Sequence, residues 1–316
     1  MMATYERRRF LLMTTDPVHV GTGGYRLGRV DNSIVREPGT RIPKIPGTSL
    51  HGAARAYAAQ LCGTPEAAGQ SQDSVVDPEN NPVCYTFGYL TTKSGSVGQT
   101  IGYSGVVNVF DAQVLLFPVY SMAGPVWVST KSRLEEAGFT VTGTLPNPWN
   151  HDTVLPTWSR KDPLNLGWLM LTVGGAVEIC APDCWKDQPR WLAVSQKIVL
   201  VHDALFSQVV NSNLEVRTSV AIDPERGAAE DKALFTYEAI PRATFLTSEV
   251  VLDDYRGCFR SVPVAGSAWS GPLDVVTAGL RMIEWLGIGG MGTRGFGRMA
   301  IVGQAVVDGL CDVGRP

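Results

Sequence analysis

The first group of residues that could bind a ligand is a glycine-rich segment near the C-terminus. Residues 287–297 contain six glycines in eleven positions. Such a run allows positive φ angles and lets backbone N–H groups approach an anion closely. Its G-x-G-x-x-G spacing follows a predicted helix and enters a predicted strand, whereas a dinucleotide-binding fold has that motif after a strand and before a helix. The segment therefore predicts a phosphate-binding loop, in which the charges of Arg294 and Arg298 would contribute to binding. The alternative is a long flexible turn.

A second segment with anion-binding character runs from residue 26 to residue 55. It carries six basic and two acidic side chains in a chain whose net charge is −3. A helix beginning at Thr48 or Ser49 would direct its N-terminal N–H groups toward this segment, which suits a phosphate. A solvated basic surface is the alternative. The six basic residues are Arg26, Arg29, Arg36, Arg41, Lys44 and Arg55.

Whole-chain composition limits the classes of protein that fit. The chain has 316 residues, of which 44% are hydrophobic and 18% charged. This composition excludes a disordered chain, and the net charge excludes a globally basic nucleic-acid binder. No apolar run approaches the length of a membrane span, and no apolar signal segment follows the start. We expect a soluble, cytoplasmic protein with no membrane partner.

The cysteines allow two interpretations. Six cysteines in 316 residues are too few for a disulfide framework. A Zn²⁺ site drawn from Cys62, Cys84, Cys180 and Cys184 is one interpretation, since thiolate sites gather ligands from distant loops. Ordinary reduced, partly buried thiols are the interpretation that the spacing favours.

The elements that must position these segments alternate between strands and helices. The helices are expected from Thr48 or Ser49 to Leu61 and over 272–286. Strands are expected over 7–14, 109–119, 125–129, 196–203, 216–222, 233–237, 244–252 and 298–302. The pair 216–222 and 233–237, joined by a turn at 223–227, predicts a protruding β-hairpin.

This order of elements predicts a single α+β domain over residues 1–316. Strand–helix–strand units at both ends favour a ferredoxin-like core with long insertions. Residues 63–106 are rich in Gly, Ser, Pro, Asn and Gln and are interpreted as a low-order, mobile insertion. A second insertion is placed at 131–190, a stretch that is irregular in period.

Several motifs, taken in order, resemble those of the RAMP superfamily of CRISPR proteins. The resemblance is closest to the backbone subunits, the fourth subunits, of type III-B Cmr effectors, with the type III-A Csm backbone subunits as near relatives. It covers most of the chain and is weak over 63–106 and 131–190. The motifs are PVHVGTG (17–23), VDNSIVRE (30–37), IPKIPGTSLHG (42–52), DAQVLLFPV (111–119), EVRT (215–218), IDP (222–224), ALF (233–235) and the glycine segment.

The resemblance implies an RNA-recognition-like (RRM-like, ferredoxin-like) palm whose copies stack head to tail along a CRISPR RNA. A thumb hairpin at about 210–242 would kink the guide–target duplex at regular intervals. The implied partners are crRNA, target RNA, further copies of the chain and other type III effector subunits. In the family an Asp in the loop after the first strand cuts target RNA with a divalent metal, and Asp31 matches that position. His19 and Glu238 lie in matching segments and are further candidates for the cleavage site.

The same resemblance implies an RNA-binding set. His51 stands where the family commonly has Lys, so its contribution would depend on pH. Phe235, in the expected thumb, would stack against a base. The full set is Arg36, Lys44, Ser49, His51, Arg55, Phe235, Gly289, Gly290, Thr293 and Arg294.

Two alternatives stay open beside an RNA-guided endoribonuclease that uses Mg²⁺ at Asp31. One is a crRNA-binding scaffold of the same complex that does not cleave. The other is a stand-alone ribonuclease of the superfamily that processes CRISPR RNA through a general acid–base pair. His19 and His51 are the histidines near the N-terminal segment that could serve it, but the motifs at 111–119 and 215–235 favour the backbone subunit.

Overall fold

The computed structural model describes residues 4–23, 30–92, 100–264 and 266–309. The helices in these ranges are α1 (Gly47–Leu61), α2 (Pro82–Phe87), α3 (Lys131–Glu136), α4 (Asp183–Lys186), α5 (Pro189–Ser195), α6 (Asp203–Ser212) and α7 (Pro272–Leu286), with 3-10 turns at Pro65–Ala68 and Gly292–Arg294. The first ten strands are β1 (Thr4–Thr14), β2 (Lys44–Ile45), β3 (Gly88–Thr92), β4 (Thr100–Ser104), β5 (Val107–Val109), β6 (Ala112–Ser121), β7 (Gly124–Ser129), β8 (Thr140–Thr142), β9 (Thr153–Pro156) and β10 (Leu164–Leu166). The remaining strands are β11 (Leu169–Val173), β12 (Glu178–Cys180), β13 (Ile198–Leu200), β14 (Glu215–Ile222), β15 (Ala229–Ala239), β16 (Phe245–Asp254), β17 (Val262–Val264), β18 (Ser267–Trp269), β19 (Met299–Ile301) and β20 (Val306–Gly309). The fold is α+β. The expected strands and helices are confirmed with small shifts of their ends, except that 196–203 forms only the three-residue strand β13 and 109–119 is divided between β5 and β6.

A large mixed sheet forms the centre of the molecule. Its main path is β10-β11-β9-β13-β7-β6-β16-β1-β19. The four strands β6-β16-β1-β19 are antiparallel to each neighbour. α1 lies between β1 and β6 in the chain, and α7 lies between β16 and β19. These six elements hold the two sequence segments with anion-binding character.

Alternation along the strands gives the central sheet two apolar faces. Phe10 and Leu246 belong to one hydrophobic core, together with the buried sides of α1 and α7. Leu11 and Phe245, one residue away on the same strands, belong to a second core. The sheet is therefore covered on both sides.

The helices α1 and α7 cross closely over the first core. A Cβ atom on Gly279 of α7 would lie 2.1 Å from the carbonyl oxygen of Ala54 in α1. Any larger residue at 279 would therefore force the two helices apart. Each helix has 15 residues, and within the described ranges no helix is both long and apolar enough to cross a membrane.

The second core is built mainly by residues 131–200, which include the stretch 131–190 that is irregular in period. Trp185 and Trp191 are buried there against Phe139. The helices α3, α4 and α5 have six, four and seven residues. Elements this short hold too few turns to produce a helical period, which explains why the sequence did not reveal them.

The expectation of a low-order stretch over 63–106 is wrong over 82–92 and 100–104, where the structure forms a helix and a β-hairpin. All six residues of α2 are buried, and β3 and β4 form an antiparallel hairpin. Asn81 caps α2 by accepting hydrogen bonds from the N–H groups of Val83 and Cys84, and the Tyr85 hydroxyl donates to Asp254 at 2.6 Å. The polar composition thus reflects caps and turns around a short buried helix.

The expected β-hairpin is confirmed by β14 and β15, which form a two-stranded sheet of their own. Thr218 lies opposite Thr236, and Arg217 lies opposite Tyr237. The base of the hairpin is joined to the end of β1 by a bridge between Val18 and Ile240.

Candidate cleavage site and nucleic-acid interface

Asp31 lies at the edge of the hairpin, beside β15. The Asn32 N–H donates to the carbonyl oxygen of Thr236 at 3.0 Å, and the Glu238 N–H donates to the carbonyl oxygen of Asn32 at 3.1 Å. Asn32 and Tyr237 form a parallel bridge. The segment around Asp31 therefore adds to the hairpin like a short third strand.

The Asp31 side chain is both exposed and held in place. Its Oδ2 accepts a hydrogen bond from the Thr236 N–H at 2.7 Å and another from the Thr236 hydroxyl at 2.9 Å. The same hydroxyl oxygen accepts from the Asp31 N–H at 3.1 Å. The bond from the Thr236 N–H, followed by the bond from its hydroxyl, lowers the pKa of Asp31. The site therefore presents an ionised carboxylate to solvent at neutral pH.

Glu238, a candidate for the cleavage site, is instead paired with Arg36, a candidate for RNA binding. Arg36 Nη2 donates to Glu238 Oε2 at 2.7 Å, and the Ile34 N–H reaches the same oxygen at 3.3 Å. Arg36 Nε donates to Asn211 Oδ1 in α6 at 2.8 Å. Only 13% of the Arg36 side chain and 14% of the Glu238 side chain are exposed. The pair fastens the Asp31 segment to both the hairpin and α6.

His19 lies on the other side of the hairpin strand. Its Nδ1 donates to the carbonyl oxygen of Glu238 at 2.6 Å, since a carbonyl can only accept. Its ring packs edge-on against Tyr237, and His19 is 7% exposed. Because side chains alternate along a strand, Tyr237 and the His19 ring packed against it lie on the face opposite the Thr236 and Glu238 side chains. Asp31, His19 and Glu238 thus each have a different partner.

Lys44 is engaged by two carboxylates of the chain. Its Nζ lies 2.5 Å from Asp111 Oδ2 and 2.7 Å from Glu37 Oε1. The hydrogen bond to Asp111, then that to Glu37, raises the pKa of Lys44. Asp111 also accepts from the Gly47 N–H at the start of α1, at 2.7 Å. The lysine thereby joins the basic segment to β6.

The side chains of His51 and Arg55, on α1, also contact other residues of the chain. The His51 ring packs edge-on against Phe87 with centroids 5.0 Å apart. Burial, followed by the charge of Arg55, lowers the pKa of His51. Arg55 donates two hydrogen bonds to the carbonyl oxygen of Ala67, at 3.0 and 2.8 Å. Their expected contacts with RNA stay predictions, and these side chains already have partners.

The glycine segment and α1 meet around a small cavity. The cavity has a volume of about 310 Å³ and is lined by Ser49 and Tyr57 of α1 and by Gly287, Gly289 and Gly292. The Tyr57 hydroxyl donates to the carbonyl oxygen of Gly287 at 2.6 Å. The two segments with anion-binding character are thus neighbours in space.

Packing requires a glycine at position 289 of this segment. Gly289 has φ +79°, and a Cβ atom there would lie 2.3 Å from the carbonyl oxygen of His19. The Gly290 N–H donates to that same oxygen at 2.8 Å, so it is already used within the chain. Thr293 and Arg294, farther along, are exposed.

Aromatic side chains join the glycine segment to the hairpin. Tyr237 packs against Phe235 and Phe296. The Arg294 guanidinium lies 5.6 Å from the Phe235 ring centroid, and that of Arg217 lies 4.6 Å from the Phe296 ring centroid. Sequence reasoning missed Phe296, Arg217 and Thr236. The register of the hairpin places Arg217 and Thr236 beside the candidates, and only the fold brings in Phe296.

The donor groups fit Mg²⁺ better than Zn²⁺. Within the described ranges, no group of three or more His, Cys, Asp or Glu side chains is arranged to hold a metal ion. The candidate zinc ligands Cys62, Cys84, Cys180 and Cys184 are therefore not gathered, and burial raises the pKa of Cys84 to about 11. Magnesium is often held by one or two carboxylates together with substrate phosphates. The single exposed carboxylate of Asp31 fits that arrangement.

Comparison with known proteins places these features in context. The family model of the RAMP superfamily matches residues 11–300. The CRISPR system Cmr endoribonuclease Cmr4 of Pyrococcus furiosus is 26% identical over 257 residues, which cover 76% of this chain and 80% of that protein.

Solved structures share the fold. A type III-B Cmr-beta structure bound to cognate target RNA contains a similar chain, with a TM-score of 0.61, 14% identity and coverage of 94% of this chain and 96% of that one. The crystal structure of oligomeric Cmr4 from Pyrococcus furiosus has a TM-score of 0.56, 20% identity and coverage of 97% and 99%. At these identities the likeness is one of fold.

Proposed function

Because the chain belongs to the RAMP superfamily, we propose that it is a backbone subunit of a type III-B CRISPR effector complex. In this role it binds crRNA and, together with further copies of itself and other subunits, cleaves complementary target RNA. The similarity to a Cmr endoribonuclease over most of both chains supports this assignment. The observation that carries the cleavage role is the exposed, hydrogen-bonded carboxylate of Asp31.

The proposed palm consists of β1, α1, β6, β16, α7 and β19. The strand order β6-β16-β1-β19, with every neighbour antiparallel, is that of a ferredoxin-like or RRM-like sheet. The close crossing of α1 and α7 on one side of this sheet supports the same interpretation. The hairpin β14–β15 is the proposed thumb, within the range 210–242.

The proposed guide-binding surface lies around the cavity between α1 and the glycine segment. Ser49 supplies a hydroxyl at the cavity, and Thr293 and Arg294 supply a hydroxyl and a cation in the exposed part of the loop. Phosphate binding by such groups depends on local charge and geometry and needs no overall positive charge. Phe235, beside Arg294, is the proposed base-stacking residue.

In the proposed reaction Asp31 acts on the ribose next to the scissile phosphate. The ribose 2′ oxygen forms a bond to phosphorus as the bond to the 5′ oxygen breaks, while the 2′ proton passes to the carboxylate or to water and the 5′ oxygen takes a proton from water. Asp31 orients the 2′ hydroxyl, and its carboxylate would hold Mg²⁺ together with RNA phosphates. When bound, Mg²⁺ stabilises the negative charge that develops on the phosphate. Arg36, Glu238 and His19 hold the Asp31 segment and the hairpin in place.

The test is target cleavage by the assembled complex carrying Asp31→Asn. This variant keeps the size of the side chain and one acceptor oxygen for the two bonds from Thr236, replaces the other oxygen with an NH2 donor, and removes the charge. We expect guide binding and assembly to persist, while cleavage in Mg²⁺ falls by about 10²–10⁴-fold, the range typical of losing a group that assists proton transfer. Asp162→Asn, a change at another exposed acid, is the control and should cleave normally.

Two results would contradict the proposal in different ways. A variant complex that still cuts at the usual positions would remove Asp31 from the reaction. A wild-type complex that binds guide and target but does not cut in Mg²⁺ would support the scaffold alternative.

A further inference from the structure

We propose that Thr236, in the thumb strand β15, is the residue that positions the Asp31 carboxylate for RNA cleavage. This inference rests on the proposed role of Asp31 in the reaction. It adds a residue that no motif in the sequence identified, and it assigns to the hairpin a direct part in organising the cleavage site.

The geometry of the Thr236 hydroxyl supports a positioning role. A hydroxyl has one proton to donate and lone pairs to accept. Here the proton goes to Asp31 Oδ2 at 2.9 Å, and the oxygen accepts from the Asp31 N–H at 3.1 Å. The hydroxyl therefore grips both the side chain and the backbone of Asp31. Because threonine is branched at Cβ, its χ1 rotation is restricted, and the grip has a defined direction.

Thr236 engages one oxygen of the carboxylate. Its N–H and its hydroxyl both donate to Oδ2, and the described residues donate no hydrogen bond to Oδ1. Two bonds to one oxygen restrict the rotation of the carboxylate about its own axis. Oδ1 is thereby left for the 2′ hydroxyl or Mg²⁺, whereas Oδ2 is bound by the protein.

Backbone hydrogen bonds around Thr236 fix its position along the strand relative to Asp31. Hydrogen bonds between Asn32 and the backbone groups of Thr236 and Glu238 lie on either side of it, and the Arg36–Glu238 pair closes the same edge. A one-residue slip of β15 would bring Phe235 or Tyr237 to the position of Thr236 and remove the hydroxyl. A displacement of the hairpin would consequently displace the carboxylate as well.

The experiment compares Thr236→Val, which removes the hydroxyl at nearly constant shape, with Thr236→Ser, which retains it. Thr218→Val is the matched control, because Thr218 lies directly opposite Thr236 on the neighbouring strand. Each variant is assembled with guide RNA and the other subunits. The readouts are the single-turnover cleavage rate at saturating target, the target affinity, and hydrogen–deuterium exchange of the segment 30–36.

We expect Thr236→Val to cleave about 10–100-fold more slowly, the range found when a partner that orients a metal ligand is removed. Its target affinity should stay unchanged, and amide exchange in the segment 30–36 should become faster. Thr236→Ser should stay within about threefold of the wild type, and Thr218→Val should match the wild type in every readout.

Wild-type rates and exchange in Thr236→Val would overturn the inference, as would an equal loss of rate in Thr236→Ser. Failure of the proposed function has a different signature. If Asp31→Asn still cleaves, the catalytic assignment fails whatever Thr236 does. If Asp31→Asn is inactive while Thr236→Val is indistinguishable from the wild type, only the positioning role fails.

Discussion

Two parts of the N-terminal half, both expected to act on RNA, use their charged side chains in opposite ways. Asp31 is exposed, and its carboxylate is held by the backbone and hydroxyl of Thr236. Lys44 instead donates hydrogen bonds to Glu37 and Asp111, and Arg55 donates to the carbonyl oxygen of Ala67. The difference shows that a charged residue within a motif can be left exposed to a ligand or be bound within the fold, and that its partners decide which.

The hydrogen bonds that Lys44 and Arg55 make within the chain join separate elements of the fold. Lys44 joins the long loop after β1 to β6, and Asp111 joins the same strand to the first N–H of α1. Arg55 joins α1 to the 3-10 turn Pro65–Ala68. A chain with few charged residues thus uses part of its basic segment to fix the loop that ends at α1. The exposed Arg294 is the better candidate for a guide contact.

The largest effect on the free energy of unfolding is expected at Lys44. Lys44→Met would leave the Glu37 and Asp111 carboxylates close together without their shared cation. We expect the free energy of unfolding to fall by about 2 kcal/mol, because hydrogen bonds to charged groups are lost at a site that is still partly exposed to solvent. Chemical denaturation measures this, with Lys131→Met, which breaks an exposed pair with Glu135, as the control. Unchanged stability with weakened guide binding would reverse the comparison and make Lys44 an RNA ligand.

A smaller effect is expected at Arg294, whose guanidinium stacks on Phe235 at the surface. Arg294→Ala should weaken guide binding about three- to tenfold and reduce the salt dependence of log affinity by about one unit of slope, because one phosphate contact is lost. Equilibrium binding at several salt concentrations measures both quantities. Arg55→Ala is the contrasting variant. Its free energy of unfolding should fall by more than its free energy of guide binding. Equal salt slopes for the wild type and Arg294→Ala would remove Arg294 from the interface.

The smallest effect concerns pH and His51. Burial lowers the pKa of His51 in the folded chain, so the unfolded chain binds its proton first as the pH falls. This term should therefore reduce stability as the pH drops from the ordinary histidine pKa toward the lower value of the fold, and it should vanish at neutral pH. Unfolding of the wild type and His51→Gln between pH 7.5 and 5.5, a range of roughly one unit on each side of the ordinary value, measures the difference. A His51→Gln variant with the same pH dependence as the wild type would contradict a lowered pKa of His51 in the folded chain.

Patterns within the sequence were sufficient to predict the main strands and the two long helices of the central sheet. The apolar alternation along β1 and β16 and the helical spacing in α1 and α7 arise from burial on one face, which each segment records by itself. The hairpin was equally visible, because its two alternating segments flank a turn built from Asp223, Pro224 and Gly227. The buried helix α2 was missed, since six residues among polar caps and turns carry no readable period.

Some features of the candidate site were likewise predictable from the sequence, whereas others depended on the tertiary structure. Motif order alone determined the superfamily and singled out Asp31, and the excess of glycine between 287 and 297 singled out the second anion-binding segment. Only the tertiary structure decided that Glu238 pairs with Arg36, that Lys44 pairs with Glu37 and Asp111, and that Thr236 grips Asp31. The physical reason is that residue type sets what a side chain can donate or accept, whereas its partner depends on which distant strand the fold brings within about 3 Å.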